Sequence, residues 1–164
     1  RLPQIIPDTA RLFEIGFGCG YHALHLSALR PDLSISIQDD DPGFHAVLAA
    51  LRSRSGIAGP NPRALSDTLG AAFVASAIAL IAREAPDVLF LSDPRATPRA
   101  TERIVTGLGD KSPKMIVLLG RAIEASIGDV ADFAPALASL GYEPAHGFDP
   151  KLAQAFEFKP SSEA

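Results

Sequence analysis

The sequence predicts an α/β domain built on a doubly wound, mostly parallel sheet. Three observations carry that expectation. A short apolar run, Arg11-Leu12-Phe13-Glu14-Ile15, stops at a glycine-rich turn. Helical spacing resumes after the turn, gives way to an alternating apolar run, and returns in a second helical pattern. Further apolar runs alternate with helical stretches along the rest of the chain, the order in which helices join parallel strands.

The first run reads as a buried strand because it is apolar, short and closed by glycine. Residues 20–30 follow as a helix with Tyr21, Leu24 and Ala28 on one face, ended by Pro31. Leu33, Ile35 and Ile37 alternate with Ser34, Ser36 and Gln38, the period of a strand. Asp41 and Pro42 are expected to open the next helix as N-cap and first helical residue. Phe44, Val47, Leu48 and Leu51 continue it at helical spacing, and Gly56 lies beyond its end. Gly59-Pro60-Asn61-Pro62 is a loop, residues 63–69 hold a short strand, and residues 71–83 form an alanine-rich buried helix.

Asp87-Val88-Leu89-Phe90-Leu91 is the next strand, with a loop at Ser92-Asp93-Pro94. A helix from Pro98 to Leu108 leads to the strand Met115-Ile116-Val117-Leu118-Leu119. A helix over residues 129–140 ends at Gly141 in the C-cap position. Residues 143–148 and 153–158 are expected to form a C-terminal antiparallel hairpin, with Phe156 and Phe158 serving the core. The sum is a single Rossmann-like domain over residues 1–164, with a sheet of about seven strands and no internal repeat or linker.

Composition narrows the class. The 164 residues are 47% hydrophobic and 21% charged, as in globular domains and unlike disordered chains. A net charge of −4 and a pI near 5.5 argue against a nucleic-acid surface, which needs clustered Lys and Arg. They leave small phosphate-bearing ligands open. The single cysteine, Cys19, forms no intrachain disulfide and fits a reducing compartment. No apolar run approaches the roughly 20 residues of a membrane helix. The opening Arg1-Leu2-Pro3-Gln4 carries no signal-peptide pattern, so a cytoplasmic protein is expected. The start without Met reads as a trimmed chain, a disordered start left out, or a domain cut from a longer chain with additional domains.

The turn Glu14-Ile15-Gly16-Phe17-Gly18-Cys19-Gly20 is the main functional signal. Glycines between a strand and a helix let backbone approach a ligand and aim helix N–H groups at an anion. Gly18-Cys19-Gly20-Tyr21-His22-Ala23 also satisfies the dinucleotide fingerprint. Asp39 or Asp40 then stands where a ribose-binding acid belongs, so an NAD(P)-binding oxidoreductase domain remains an alternative. Glu14 favours another ligand, because a carboxylate in an apolar strand end is costly without a partner. S-adenosylmethionine (SAM) brings an ammonium there and a dinucleotide does not. A tight turn without any ligand is the alternative explanation of the glycines, which three alternating glycines and a buried acid disfavour. Of the three consecutive acids, Asp41 is read as a helix cap, Asp40 as solvated surface and Asp39 as the ribose candidate.

The run Glu14-x-Gly16-x-Gly18-x-Gly20 resembles motif I of class I SAM-dependent methyltransferases. The resemblance implies that the backbone of Gly16, Phe17, Gly18 and Gly20 receives the methionyl part of SAM. It also implies that Glu14 orients that part and Asp39 binds the ribose hydroxyls. Gly18-Cys19-Gly20-Tyr21-His22-Ala23-Leu24, then Asp39-Asp40-Asp41-Pro42-Gly43-Phe44 with Leu48 and Leu51, and the ending Leu140-Gly141-Tyr142 are similar to the FkbM-type methyltransferases. That resemblance covers most of the chain and implies O-methylation of a small molecule or glycan hydroxyl. The chain departs from it after Leu91, where the family carries an acidic pair, a Gly and another acid, against Ser92-Asp93-Pro94-Arg95-Ala96-Thr97 here. A catalytically inactive methyltransferase-like module is the alternative that this departure opens. Glu14-Ile15-Gly16-Phe17-Gly18 and Ser92-Asp93-Pro94 are also similar to the tRNA guanine-N7 methyltransferases.

Methyl transfer to a hydroxyl needs an aligned acceptor and a group that takes its proton. Asp93, at the carboxyl end of a central strand, is the candidate catalytic base, and a turn or helix-capping role is its plainer reading. Arg95, Arg99 and Arg103 fall at i, i+4 spacing and are candidates to grip an anionic acceptor, a solvated helix face being the bland alternative. His22 lies near the turn, where a surface role is the plainer reading than a ligand contact, His25 is expected to face solvent or a neighbouring helix, and His45 and His146 show no partner in the sequence. No Cys, His and acid spacing suggests a metal site.

Overall fold

In the computed structural model, residues 2–16, 20–119, 130–144 and 155–160 are described. A short helix α1 (Leu2–Ile5) precedes β1 (Arg11–Ile15), α2 (Tyr21–Leu29), β2 (Ser34–Gln38) and α3 (Phe44–Ser55). Then come β3 (Arg63–Ala64), α4 (Phe73–Glu84), β4 (Val88–Leu91), α5 (Pro98–Leu108) and β5 (Met115–Leu119). Helix α6 (Val130–Ala138) and strands β6 (Tyr142–Pro144) and β7 (Ala155–Pro160) follow.

The sheet runs β3-β2-β1-β4-β5-β7-β6. The five strands from β3 to β5 are parallel, which makes the fold α/β and Rossmann-like. Strand β7 pairs antiparallel with β5 and with β6. Among the described residues no helix is long and apolar enough to cross a membrane.

Burial follows from helices on both faces of the sheet. On β1 and β4, Phe13, Ile15, Leu89 and Leu91 join one core cluster, with Phe73, Ile81, Ile104 and Leu137 of α4, α5 and α6. Leu12, Val88 and Phe90 point the other way, into a second cluster with Leu26, Phe44 and Leu48 of α2 and α3. The alternation expected for β2 is present in the sequence, but Ser36 and Gln38 are buried too, because this strand lies inside the sheet, and only Ser34 at its start stays exposed.

Several element boundaries differ from expectation. Helix α3 starts at Phe44, with Gly43 in the N-cap position. Asp41 stands ahead of it, accepting a hydrogen bond from Gly43 N at 2.8 Å, so the acid closes a turn instead of capping the helix. The alanine-rich helix begins with a 3₁₀ turn, Gly70–Ala72, before α4 proper. By contrast, Thr97 caps α5 by accepting from Ala100 N at 3.2 Å, with Pro98 in the first turn.

The order β3-β2-β1-β4-β5 reverses direction at β1, because the chain winds outward to β3 and then returns to β4 on the other side. Ligands of open α/β sheets bind outside the carboxyl ends of the strands at this switch point. The residues there are Gly16 and Gly20 after β1, Asp39 and Asp40 after β2, and Ser92 and Asp93 after β4.

At the far end of the sheet, buried Tyr142 of β6 donates its hydroxyl hydrogen bond to the carbonyl of Pro113, ahead of β5. Tyr142→Phe leaves that buried carbonyl without its donor and is expected to cost about 1–3 kcal/mol. A lowered midpoint with unchanged slope in chemical denaturation checks it.

Candidate functional site

The site is built on the ends of β1, β2 and β4, and its first constraint is steric. Gly16 N donates to Gln38 O at 2.7 Å, and Ser92 N donates to Ile15 O at 3.0 Å, so three strand ends are drawn together. Gly16 has φ +76°, and a Cβ there would lie 2.5 Å from Asp93 Cβ and 2.6 Å from Asp93 Cα. Only glycine supports both that conformation and that approach. Gly16 is therefore required by packing before any ligand is considered. Gly20, also at positive φ (75°), is the N-cap residue of α2, and Phe17, Gly18 and Cys19 lie outside the described residues.

Glu14 is 1% exposed. Ser92 Oγ donates to its Oε1 at 2.8 Å, while its Oε2 is buried with no hydrogen-bond partner. Burial pushes its pKa up to about 7, the Ser92 hydrogen bond opposes the rise, and the nearby charge of Asp39 adds to it. A second buried acceptor without a partner, Gln38 Oε1, stands at the end of the adjacent strand. Among the described residues, then, two unsatisfied buried oxygens sit at the switch point.

The three acids after β2 divide differently from the sequence expectation. Asp39 is half-buried and accepts from Asp41 N at 2.8 Å. Asp40 is not a solvated surface acid. Its Oδ1 accepts from Leu69 N at 2.7 Å and Gln38 Nε2 at 2.8 Å, and its Oδ2 accepts from Gly70 N at 2.8 Å and Arg95 Nη1 at 3.0 Å. Burial acts to raise its pKa, but these donors outweigh it and hold the carboxyl below its ordinary value. Asp40 thus ties the segment after β3 to the end of β2.

Asp93 is buried, and a guanidinium claims it. Arg95 Nε donates to Oδ1 at 3.0 Å and Arg95 Nη2 to Oδ2 at 2.7 Å, with Arg95 N on Oδ1 at 2.8 Å. The same guanidinium reaches Asp40 and Gly70 O and lies 4.6 Å from the Phe73 ring centroid. The expected arginine stripe breaks here, because α5 starts at Pro98 and Arg95 belongs to the loop before it. Arg99 and Arg103 remain on the helix.

His22 and His25 are exposed and pack with Tyr21, whose ring stacks on His25 at 6.0 Å and meets His22 edge-on at 6.3 Å. His45 lies against Phe44, and His146 is outside the described residues. No group of His, Cys, Asp and Glu able to hold a metal occurs among the described residues. Sequence reasoning missed Ser92 as the donor to Glu14, Gln38 as a buried polar partner and Arg95 as the bridge between β4 and β2. Only Ser92 carried a signal, as the first polar residue after an uninterrupted apolar strand.

Gly16→Ala is expected to cost at least about 2 kcal/mol, from left-handed backbone strain and overpacking against Asp93, read as a lower denaturation midpoint. Glu14 should leave a pH signature. Its folded pKa near 7 exceeds the ordinary 4.5, so the folded state holds the proton more tightly. Its contribution is present at low pH and is lost as pH rises from about 4.5 to about 7, on the order of 3 kcal/mol. Glu14→Gln should lack that fall and be the more thermostable protein at pH 8.

No family model and no curated protein matches the chain. Solved structures do. A protein of the NADB-Rossmann superfamily from Streptococcus agalactiae aligns over 99% of this chain and 67% of its own, with 14% identity and a TM-score of 0.60. Magnesium protoporphyrin IX methyltransferase from Synechocystis, crystallised with bound SAM, aligns over 93% and 70%, with 13% identity and a TM-score of 0.62. A protein from Streptococcus pneumoniae assigned as a tRNA methyltransferase aligns over 99% and 69%, with 11% identity and a TM-score of 0.60. The chain shares the Rossmann-like fold of these proteins, two of which are methyltransferases in name.

Proposed function

We propose that this chain binds SAM at the switch point and transfers its methyl group to an oxygen of a small molecule or glycan. The observation that carries the cofactor assignment is Glu14, a buried carboxyl with one unpartnered oxygen beside a glycine turn. The donor set fits the group. Glu14 Oε2 would accept from the ammonium, the backbone at Gly16, Phe17, Gly18 and Gly20 would receive the carboxylate, and Asp39 would accept from the ribose hydroxyls. When bound, SAM supplies an electrophilic methyl carbon on a sulfonium. Burying an acid without an internal cation is unfavourable, so a cation from a ligand explains what the fold alone does not.

The chain's own residues then have separate tasks. The Gly16 turn and α2 position the ligand, and the Ser92 hydroxyl orients Glu14. Asp93, on the β4 side of the switch point, is the group to hold the acceptor proton. The FkbM-type resemblance supports a hydroxyl acceptor, and the antiparallel edge formed by β7 and β6 is consistent with a methyltransferase-like sheet within a single domain. A second reading, a non-catalytic module that binds SAM without turnover, is favoured by the Arg95 fork on Asp93. Both oxygens of that carboxylate are already engaged by guanidinium N–H groups. The tRNA methyltransferase among the neighbours keeps RNA among the acceptors to be tried.

Calorimetry separates the readings. SAM or S-adenosylhomocysteine (SAH) should bind with micromolar affinity and NAD should not; binding of none of them overturns the cofactor assignment. Because Glu14 must be ionised to accept from the ammonium, SAM affinity should rise with pH up to about 7, by up to about tenfold per unit, and level off above. Glu14→Ala should remove that dependence and weaken SAM more than NAD. SAM binding with no methyl transfer to hydroxyl acceptors or tRNA would select the non-catalytic module.

A further inference from the structure

Beside the switch point lies a cleft of about 650 Å³, within the range of about 300–1,000 Å³ common for small-molecule sites. Ala71 of the 3₁₀ turn and Phe73 and Ala75 at the start of α4 line it together with Ala100 and Arg103 of α5 and with Arg95. Apart from Arg95 and Arg103, the described residues that line it are Gly, Ala, Val and Phe.

The two cations differ in commitment. Arg95 donates through Nε and Nη2 to Asp93 and through Nη1 to Asp40 and Gly70 O. Of its five N–H groups, one on Nη2 has no acceptor among the described residues, and its side chain is 36% exposed. Arg103 is exposed and forms no ion pair or hydrogen bond among the described residues. The first turn of α4 holds no acid and its N-cap residue makes no side-chain hydrogen bond. An anion in the cleft therefore meets one uncommitted guanidinium, a spare donor on a second and the positive end of a helix, with no lining carboxylate to repel it.

We infer that this cleft is the acceptor subsite and takes a small molecule carrying an oxyanion, a carboxylate or a phosphate monoester, on an apolar body. The assignment rests on the methyl-transfer reading for the word acceptor, while the anion site stands on the cleft and its arginines. Asp93 connects the two, because the Arg95 fork that holds its carboxylate is the same group that faces the cleft. An oxyanion drawing on Arg95 would compete with Asp40 and Asp93 for the guanidinium. Anion binding would thereby loosen the Arg95–Asp93 pair.

The test is an NMR titration of the intact chain at low ionic strength with phenyl phosphate and, separately, benzoate. Expected are saturable shifts at the amides of residues 71–75 and at Ala100, with the tighter probe naming phosphate or carboxylate. Arg103→Gln should weaken the tighter probe by about tenfold or more, Arg103→Lys should restore part of it, and Arg99→Gln, on the same helix but outside the lining, should change nothing. Shifts that do not saturate, or that survive Arg103→Gln, overturn the proposal. So does saturable binding of tRNA without saturable binding of either probe. SAH is titrated into the same samples. Loss of the SAH response alone removes the cofactor assignment and leaves the anion site, whereas loss of the anion response alone removes the subsite and leaves the cofactor assignment.

Discussion

The close approach of β1 to β4 at Gly16 and Asp93 is the constraint on which the rest of the site depends. With 2.5 Å between a hypothetical Gly16 Cβ and Asp93 Cβ, the two strand ends lie nearer than any side chain permits. That contact places Ser92 where its hydroxyl reaches Glu14 and buries both residues. The cost is visible at once, because the carboxyl is stripped of water and left with one oxygen unsatisfied. A fold that tolerates such a group loses stability to it, and in the proposed reading a cationic ligand would restore it.

A second polar web crosses the same end of the sheet. Asp40 collects donors from Leu69, Gly70, Gln38 and Arg95, and Arg95 passes the connection to Asp93 and rests on Phe73. The web joins the ends of β2 and β4 to the segment before α4. It also orders the acids by role. Asp40 is consumed by structure, Asp93 is shared with a guanidinium, and Glu14 keeps one buried oxygen without a donor among the described residues.

Likeness to solved structures at 11–14% identity establishes the fold and nothing finer. The functional reading therefore rests on a few atoms: the unpartnered Glu14 oxygen for the cofactor, and the uncommitted guanidinium of Arg103 for the acceptor. These are separate physical claims, one about a buried anion seeking a cation and one about an exposed cation seeking an anion. Either can hold when the other does not.

Local patterns in the sequence determined the parallel α/β architecture, the strand-to-helix turn at Gly16 to Gly20 and the anomaly of an acid inside an apolar strand. Apolar period, glycine and proline are read from neighbours along the chain, so β1, β2, β4, β5 and α5 were legible. So was Glu14, since a carboxylate between Phe13 and Ile15 conflicts with its surroundings whatever the tertiary fold. The partners were not legible. Ser92 meets Glu14 across 78 positions and Arg95 meets Asp40 across 55, and no local rule encodes such a distance. For the same reason Asp40 looked like surface, Arg95 looked like part of a helical stripe, and Gly16 looked like a ligand turn before its approach to Asp93 supplied a packing reason. Side-chain roles at this site are set by which strand ends the sheet brings together, and only the tertiary structure decides that.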